Sequence, residues 1–169
     1  MKRIVAIVEG DGEVEAVPAL IRRIHAEVSP GVPLEVGRPV RVPRDRLLKH
    51  GELERYLGLA ANVAGADGCM LVLLDANGDC PADLAPDILQ RTRTARSDRR
   101  IEVVLAKCEY ESWFIATIDS LRGTRGISPD ARVPPDPESI RGAKEWLRER
   151  MGGRYPKFTK LARYFADFG

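Results

Sequence analysis

The sequence predicts an α/β fold with a mostly parallel central sheet of about four strands and helices on both faces. Three observations carry that expectation. Residues 4–8, 69–74 and 101–106 are short, continuously aliphatic and rich in β-branched side chains, the pattern of strands covered on both faces. The stretches between them place apolar residues at helical spacing, as crossover helices of a parallel sheet do. Each run is followed at once by a polar, acid-bearing turn, and open parallel sheets bind ligands at the carboxyl ends of their strands.

Residues 4–8 form the first expected strand. Residues 14–28 follow as a helix with Val17, Leu20, Ile21, Ile24 and Val28 as its apolar face; Pro18 lies early, where proline is tolerated if it falls in the first turn. Ser29-Pro30-Gly31 stops it. Residues 34–42 alternate in polarity and contain Pro39, which marks an edge or bulged strand. A second helix is expected over 45–64, with Leu47, Leu48, Leu53, Leu57 and Leu59 toward the core and Gly51 as a point of division. The strand at 69–74, a helix over 82–96 containing Pro86, the strand at 101–106 and a helix over 110–118 complete a core of residues 1–121. Residues 122–137 carry three glycine or proline clusters and read as a long loop or lid. Helices over 139–150, around Ile140, Ala143, Trp146 and Leu147, and over 158–165 close the chain, so that 122–169 is expected to pack on that core as part of one domain.

A chain of 169 residues has the size of one such domain and can bury a core without disulfides or structural metal. Lys and Arg number 27 against 25 Asp and Glu, a net charge of +2, too small to argue for nucleic acid by itself. The distribution says more: basic residues gather in 41–55, in 91–100 and from Arg141 onward, whereas acids crowd 8–15 and 74–83. The three cysteines, Cys69, Cys80 and Cys108, include no CxxC pair, which argues against a disulfide framework or zinc ribbon. With no signal-like leader and no apolar run near the ~18 residues of a membrane helix, the expectation is a cytoplasmic protein with no membrane partner.

The first turn, Val8-Glu-Gly-Asp-Gly-Glu-Val-Glu15, places Glu9 at a strand end and Glu13 near a helix start. A helix N-terminus could cradle phosphate, but four carboxylates and no lysine would repel it unless cations intervene, so neither a Walker loop nor a dinucleotide fingerprint fits. The second, Leu74-Asp-Ala-Asn-Gly-Asp79, brings Asp75, Asn77 and Asp79 to the same expected edge, and hard oxygen donors at close spacing suit Mg²⁺ or Mn²⁺. An EF-hand does not fit, because loop position six would be Cys80 and position twelve Pro86. The third turn supplies Glu109 and Glu111, of which Glu111 is the candidate sixth ligand, followed by Trp113 and Phe114, whose expected role is core packing. His25 and His50 lack sequence-adjacent acids, and Cys80 lacks a neighbouring histidine; none is assigned chemistry.

Val8-Glu-Gly-Asp-Gly-Glu13, Leu74-Asp-Ala-Asn-Gly-Asp-Cys80 and Glu109-Tyr-Glu-Ser-Trp-Phe-Ile-Ala116, in this order and spacing, resemble a bacterial TOPRIM-like family of unknown function. Its relatives are the TOPRIM domains of topoisomerases, primases and overcoming-lysogenisation-defect nucleases. The resemblance spans nearly the whole chain. It implies a three-layer, Rossmann-like TOPRIM fold, a catalytic glutamate at Glu9, an acidic pair at Asp75 and position 77, a second nuclease-type acid at Glu13, and the Glu111, Trp113, Phe114 element. The chain departs from that pattern at neutral Asn77, for which Asp79 could substitute. It further implies an ATPase partner and a role in phage defence or DNA repair.

The function expected on these grounds is Mg²⁺- or Mn²⁺-dependent phosphodiester chemistry on DNA or RNA. Glu9, Glu13, Asp75, Asn77, Asp79 and Glu111 would form the metal set, with Glu9 and Asp75 catalytic, and two ions could stabilise the attacking and leaving oxygens. Arg91, Arg93, Arg96 and Lys107 are the candidate nucleic-acid contacts. The rival expectation is a non-catalytic metal- or nucleic-acid-binding module of an ATPase system, kept open by Asn77.

Overall fold

The computed structural model describes residues 2–123 and 126–152; the helix expected over 158–165 lies outside the described residues. The fold is mixed α/β. Five strands, β1 (Lys2–Val8), β2 (Leu34–Val36), β3 (Val40–Arg41), β4 (Cys69–Asp75) and β5 (Ile101–Ala106), form one sheet in the order β2-β1-β4-β5, with β3 also on β1. β2, β3 and β4 all pair with β1 in parallel. β5 is parallel to β4 as well, since Met70 N–H donates to the Arg100 carbonyl and Ala76 N–H, six residues on, to that of Ala106.

Burial explains why the sheet needs helices on both sides. Val5, Ala6, Ile7 and Val8 are consecutive and all at most 1 % exposed, so both faces of β1 are covered; Val72, Leu73 and Leu74 repeat this in β4. β5, at the end of the strand order, alternates, with Glu102 and Val104 exposed. The edge strand expected over 34–42 exists in two pieces. Ile4 pairs with Val36, yet Ile7, three residues on, pairs with Val40, four residues on. The extra residue is a bulge around Pro39, which cannot donate to the ladder.

The helices are α1 (Asp11–Val28), α2 (Arg44–Leu47), α3 (Glu52–Ala64), α4 (Pro81–Ala95), α5 (Ser112–Ala116) and α6 (Ala143–Arg150), with 3₁₀ turns at Ile118–Leu121 and Pro137–Ser139. Gly51, at φ +80°, divides the expected 45–64 helix into α2 and α3. α1 begins three residues earlier than its apolar pattern, so Pro18 falls in its third turn, where it is buried and removes an internal helix bond. Of its expected core face only Val17 is buried; Ile24 and Val28 are 51 % and 75 % exposed. In α3, Leu53 and Leu57 are fully buried but Leu59 is exposed. Among the described residues no helix is long and apolar enough to cross a membrane.

The described chain divides into two compact units. One comprises residues 2–74 with 85–104 and contains most of the sheet together with α1, α2 and α3. The other comprises 75–84 with 105–152, so that the segment after β5 groups with the residues beyond Leu121. In this second unit the buried apolar residues include Tyr110, Phe114, Ile115, Ile118, Leu147 and Met151, and α5 packs against α6 and the 3₁₀ turn at Pro137–Ser139.

Candidate functional site

The turn after β1 is organised by the helix that follows it. Glu9 is half-buried, one residue past fully buried Val8. Gly10 is the N-cap of α1, in extended backbone, and Asp11 and Glu13 fall in the first helical turn. There the free N–H groups and the positive dipole end stabilise carboxylates. Glu13 folds back over Gly10 so closely that a Cβ on Gly10 would lie 2.5 Å from its Oε2. Glu13 is the third residue of the helix, the sequence position at which a capping box carries its glutamate. Asp11, exposed, takes Nε of Arg41 at 3.0 Å. Two of the acids in this turn therefore have a local helical reason to be there.

The turn after β4 is built differently. The β4–β5 ladder continues past the strand ends, with Ala76 N–H donating to Ala106 O at 2.8 Å and Asn77 N–H to Cys108 O at 3.4 Å. The chain then reverses: Asp79 N–H donates to Ala76 O at 3.0 Å, and both central residues, Asn77 at φ +53° and Gly78 at φ +103°, lie at positive φ. Two positive central φ values characterise the Asn-Gly turn that links strands. Asn77 thus has a backbone reason for its identity, since asparagine enters the left-handed region more readily than most residues. Asp75 Oδ1 accepts the Tyr110 N–H at 2.8 Å, which fixes the carboxylate much as a supporting hydrogen bond orients a metal ligand. Asn77, Asp79 and Cys80 are all exposed. Neither Asp75 nor Asp79 lies in the first turn of α4, whose acid there is Asp83.

The segment after β5 belongs to this same unit. Glu109 Oε1 accepts the Gly142 N–H at 2.6 Å, which ties the β5 exit to the N-cap of α6. Lys107 Nζ lies 3.6 Å from Asp136 Oδ2. Glu111 is 9 % exposed, and its carbonyl accepts the Phe114 and Ile115 N–H groups at the start of α5. Tyr110 is 2 % exposed and meets Trp113 and Phe114 edge-on at 5.3 and 5.0 Å, in line with the core-packing role expected for the aromatic pair. No local pattern gives Glu109 a role, since its partner lies 33 residues away.

The candidate nucleic-acid contacts are in differing states. Arg91 donates to the carbonyls of Leu48 and Lys49 and to Glu54, so it joins α4 to the α2–α3 corner. Desolvation opposes the charge on Glu54, but its own backbone N–H and Arg91 hold its carboxyl below the ordinary range. Arg96 grips Asp98 through two bonds of 2.8 Å. Hydrogen bonding from Arg96, reinforced by its charge, brings the Asp98 carboxyl down to about 2. Arg93 and Lys107 are exposed. His25 Nε2 lies 2.7 Å from the Val32 carbonyl, and His50 is exposed.

Among the described residues no three His, Cys, Asp or Glu side chains form a group able to hold a metal ion by themselves. The donors present are hard oxygens, which fit Mg²⁺ held through one or two carboxylates with water and substrate phosphate completing the shell, and do not fit an all-protein cage. A model of a protein family described as a domain of unknown function, DUF4276, matches residues 8–165. No curated protein and no solved structure matches the chain.

Proposed function

The chain belongs to the DUF4276 family, and we propose that it carries out divalent-metal-dependent phosphodiester chemistry on nucleic acid, as a TOPRIM-type nuclease. The observation that supports this best is the turn at residues 75–79. It holds Asp75 and Asp79 at the end of a buried parallel strand, on either side of a reversal with two positive φ values, and neither acid falls in the first turn of α4. Asp75, oriented by the Tyr110 N–H, and Asp79 would hold Mg²⁺ or Mn²⁺ together with water and substrate phosphate, and Glu111 enters the proposal, like Glu9 and Glu13, from the sequence alone. A bound ion would supply charge stabilisation for an in-line displacement at phosphorus. Glu9 and Glu13 enter the proposal through the family resemblance, Glu9 as ligand or general base. The same resemblance suggests an ATPase partner and a setting in phage defence or DNA repair.

The test is to incubate supercoiled plasmid, single-stranded DNA and single-stranded RNA with the protein and Mg²⁺ or Mn²⁺. Cleavage that disappears in Glu9→Gln and Asp75→Asn proteins is the expected result. Cleavage that persists in both variants would sink the assignment.

A second reading has its own observation. Asn77 answers the demands of the turn, and Asp11 and Glu13 those of the α1 N-terminus, as in a binding module of an ATPase system that needs no catalysis. Tight, metal-independent nucleic-acid binding by the wild type and by Asp75→Asn alike would favour it.

A further inference from the structure

The geometry points to Arg141 as a substrate-phosphate-binding residue of the acidic turn, an inference that rests on the nuclease reading above. Gly78 forms the tip of the Asn77-Gly78 turn, and a Cβ placed on it would meet Arg141 Nη2 at 3.7 Å. The guanidinium therefore reaches the tip of the turn that joins Asp75 to Asp79. It is held there from behind. The next residue, Gly142, donates its N–H to the Glu109 carboxylate at 2.6 Å, and Gly142 itself sits at φ +70° as the N-cap of α6. Lys107 and Asp136 pair 3.6 Å apart at the start of the same stretch. Three arginines of this unit donate to internal acceptors, Arg122 to Asp119 and the Ala131 carbonyl, Arg132 to the Ala131 carbonyl, and Arg150 to the Trp146 carbonyl, and Arg148, exposed like Arg141, lies within α6 and not beside the turn tip. Arg141 is exposed.

An acidic turn that works on a phosphodiester needs a cation besides its metal, because the substrate arrives with its own negative charge. Guanidinium suits that task, since its planar fork matches two phosphate oxygens at once. Glu109 becomes a positioning residue on this account, acting on substrate only through Gly142 and Arg141.

The test uses the full chain, a fluorescein-labelled phosphorothioate oligothymidylate that resists hydrolysis, followed by anisotropy in Mn²⁺, and Mn²⁺ uptake followed separately by electron paramagnetic resonance. Arg141→Gln should weaken oligonucleotide binding about tenfold and make the salt dependence shallower by about 0.7 in log–log slope. Arg141→Lys should recover part of the affinity and all of the slope, and Mn²⁺ uptake should be unchanged in both variants. Glu109→Gln should weaken oligonucleotide binding less, in the same direction. Wild-type affinity and slope in Arg141→Gln would overturn the assignment and leave the metal reading standing. Absence of oligonucleotide binding by the Mn²⁺-loaded wild type would also overturn it. Absence of Mn²⁺ uptake by the wild type would instead remove the nuclease reading on which it rests.

Discussion

The turns after β1 and β4 share one sequence signature, carboxylates directly behind a buried apolar strand, and owe it to different causes. Behind β1, Asp11 and Glu13 belong to the first turn of a long helix and sit where its unpaired N–H groups favour negative charge. Behind β4, Asp75 and Asp79 flank a reversal at positive φ that is hydrogen-bonded to the residues leaving β5. The first pair lies within the first turn of α1, whereas the second lies before α4, on either side of the reversal. An acid cluster is therefore stronger evidence for a site where the backbone is shaped around it than where a helix would ask for acids in any case.

That contrast can be broken or sharpened by substitution. The largest stability effect should come from Asp75→Ala, which leaves the Tyr110 N–H, on a residue only 2 % exposed, without its carboxylate acceptor. The expected loss is ~1–3 kcal/mol in urea unfolding; Asp75→Asn, which keeps an acceptor oxygen, should lose clearly less. Equal losses for the two would show that the bond does not matter. Gly78→Ala forces a Cβ onto φ +103° and should cost ~1–2 kcal/mol by the same measurement, an effect absent at an ordinary exposed loop glycine. In the first turn, Glu13→Gln should cost only ~0.3–1 kcal/mol, screened by salt; a loss as large as that of Asp75→Ala would remove the distinction between the two turns.

The smallest effect serves as a control outside both turns. The Asp98 carboxyl is depressed in the folded state to about 2 by Arg96. A depressed carboxyl contributes stability that is present above its unfolded pKa and lost as pH falls through its folded value. The pH dependence is therefore confined to the acid range down to about pH 2, and near neutrality the contribution is present in full. Carbon-13 NMR should give a midpoint near 2 for the wild type and one moved back toward the ordinary carboxylate range in Arg96→Gln.

The strands β1, β4 and β5 were legible because strands inside a parallel sheet must be apolar at nearly every position, and few other segments are. Pro39 and Gly51 marked their interruptions through backbone limits that any sequence shows. The buried face of α1 was less legible: Ile24 and Val28 keep helical period yet are exposed, since periodicity reports a face without reporting what covers it. Asn77 illustrates a conflict between two local signals. Its Asn-Gly step is a strong turn signal, and its place in an Asp-x-Asn-x-Asp run is a ligand signal; its positive φ answers the first and leaves the second as a proposal. Arg91, within a basic stretch suited to phosphate, binds the carbonyls of Leu48 and Lys49. The bonds from Asp75 to Tyr110 and from Glu109 to Gly142 join residues 35 and 33 positions apart, and no local pattern announces either.

The central claim, that the Asp75–Asp79 turn binds a divalent ion, is tested most directly by titrating the wild type and Asp75→Asn with Mn²⁺ under electron paramagnetic resonance, with thermal unfolding of both proteins recorded alongside. The account predicts saturable Mn²⁺ binding by the wild type that is lost in a variant still cooperatively folded. Equal Mn²⁺ binding by the two proteins, or none by the wild type, would contradict it.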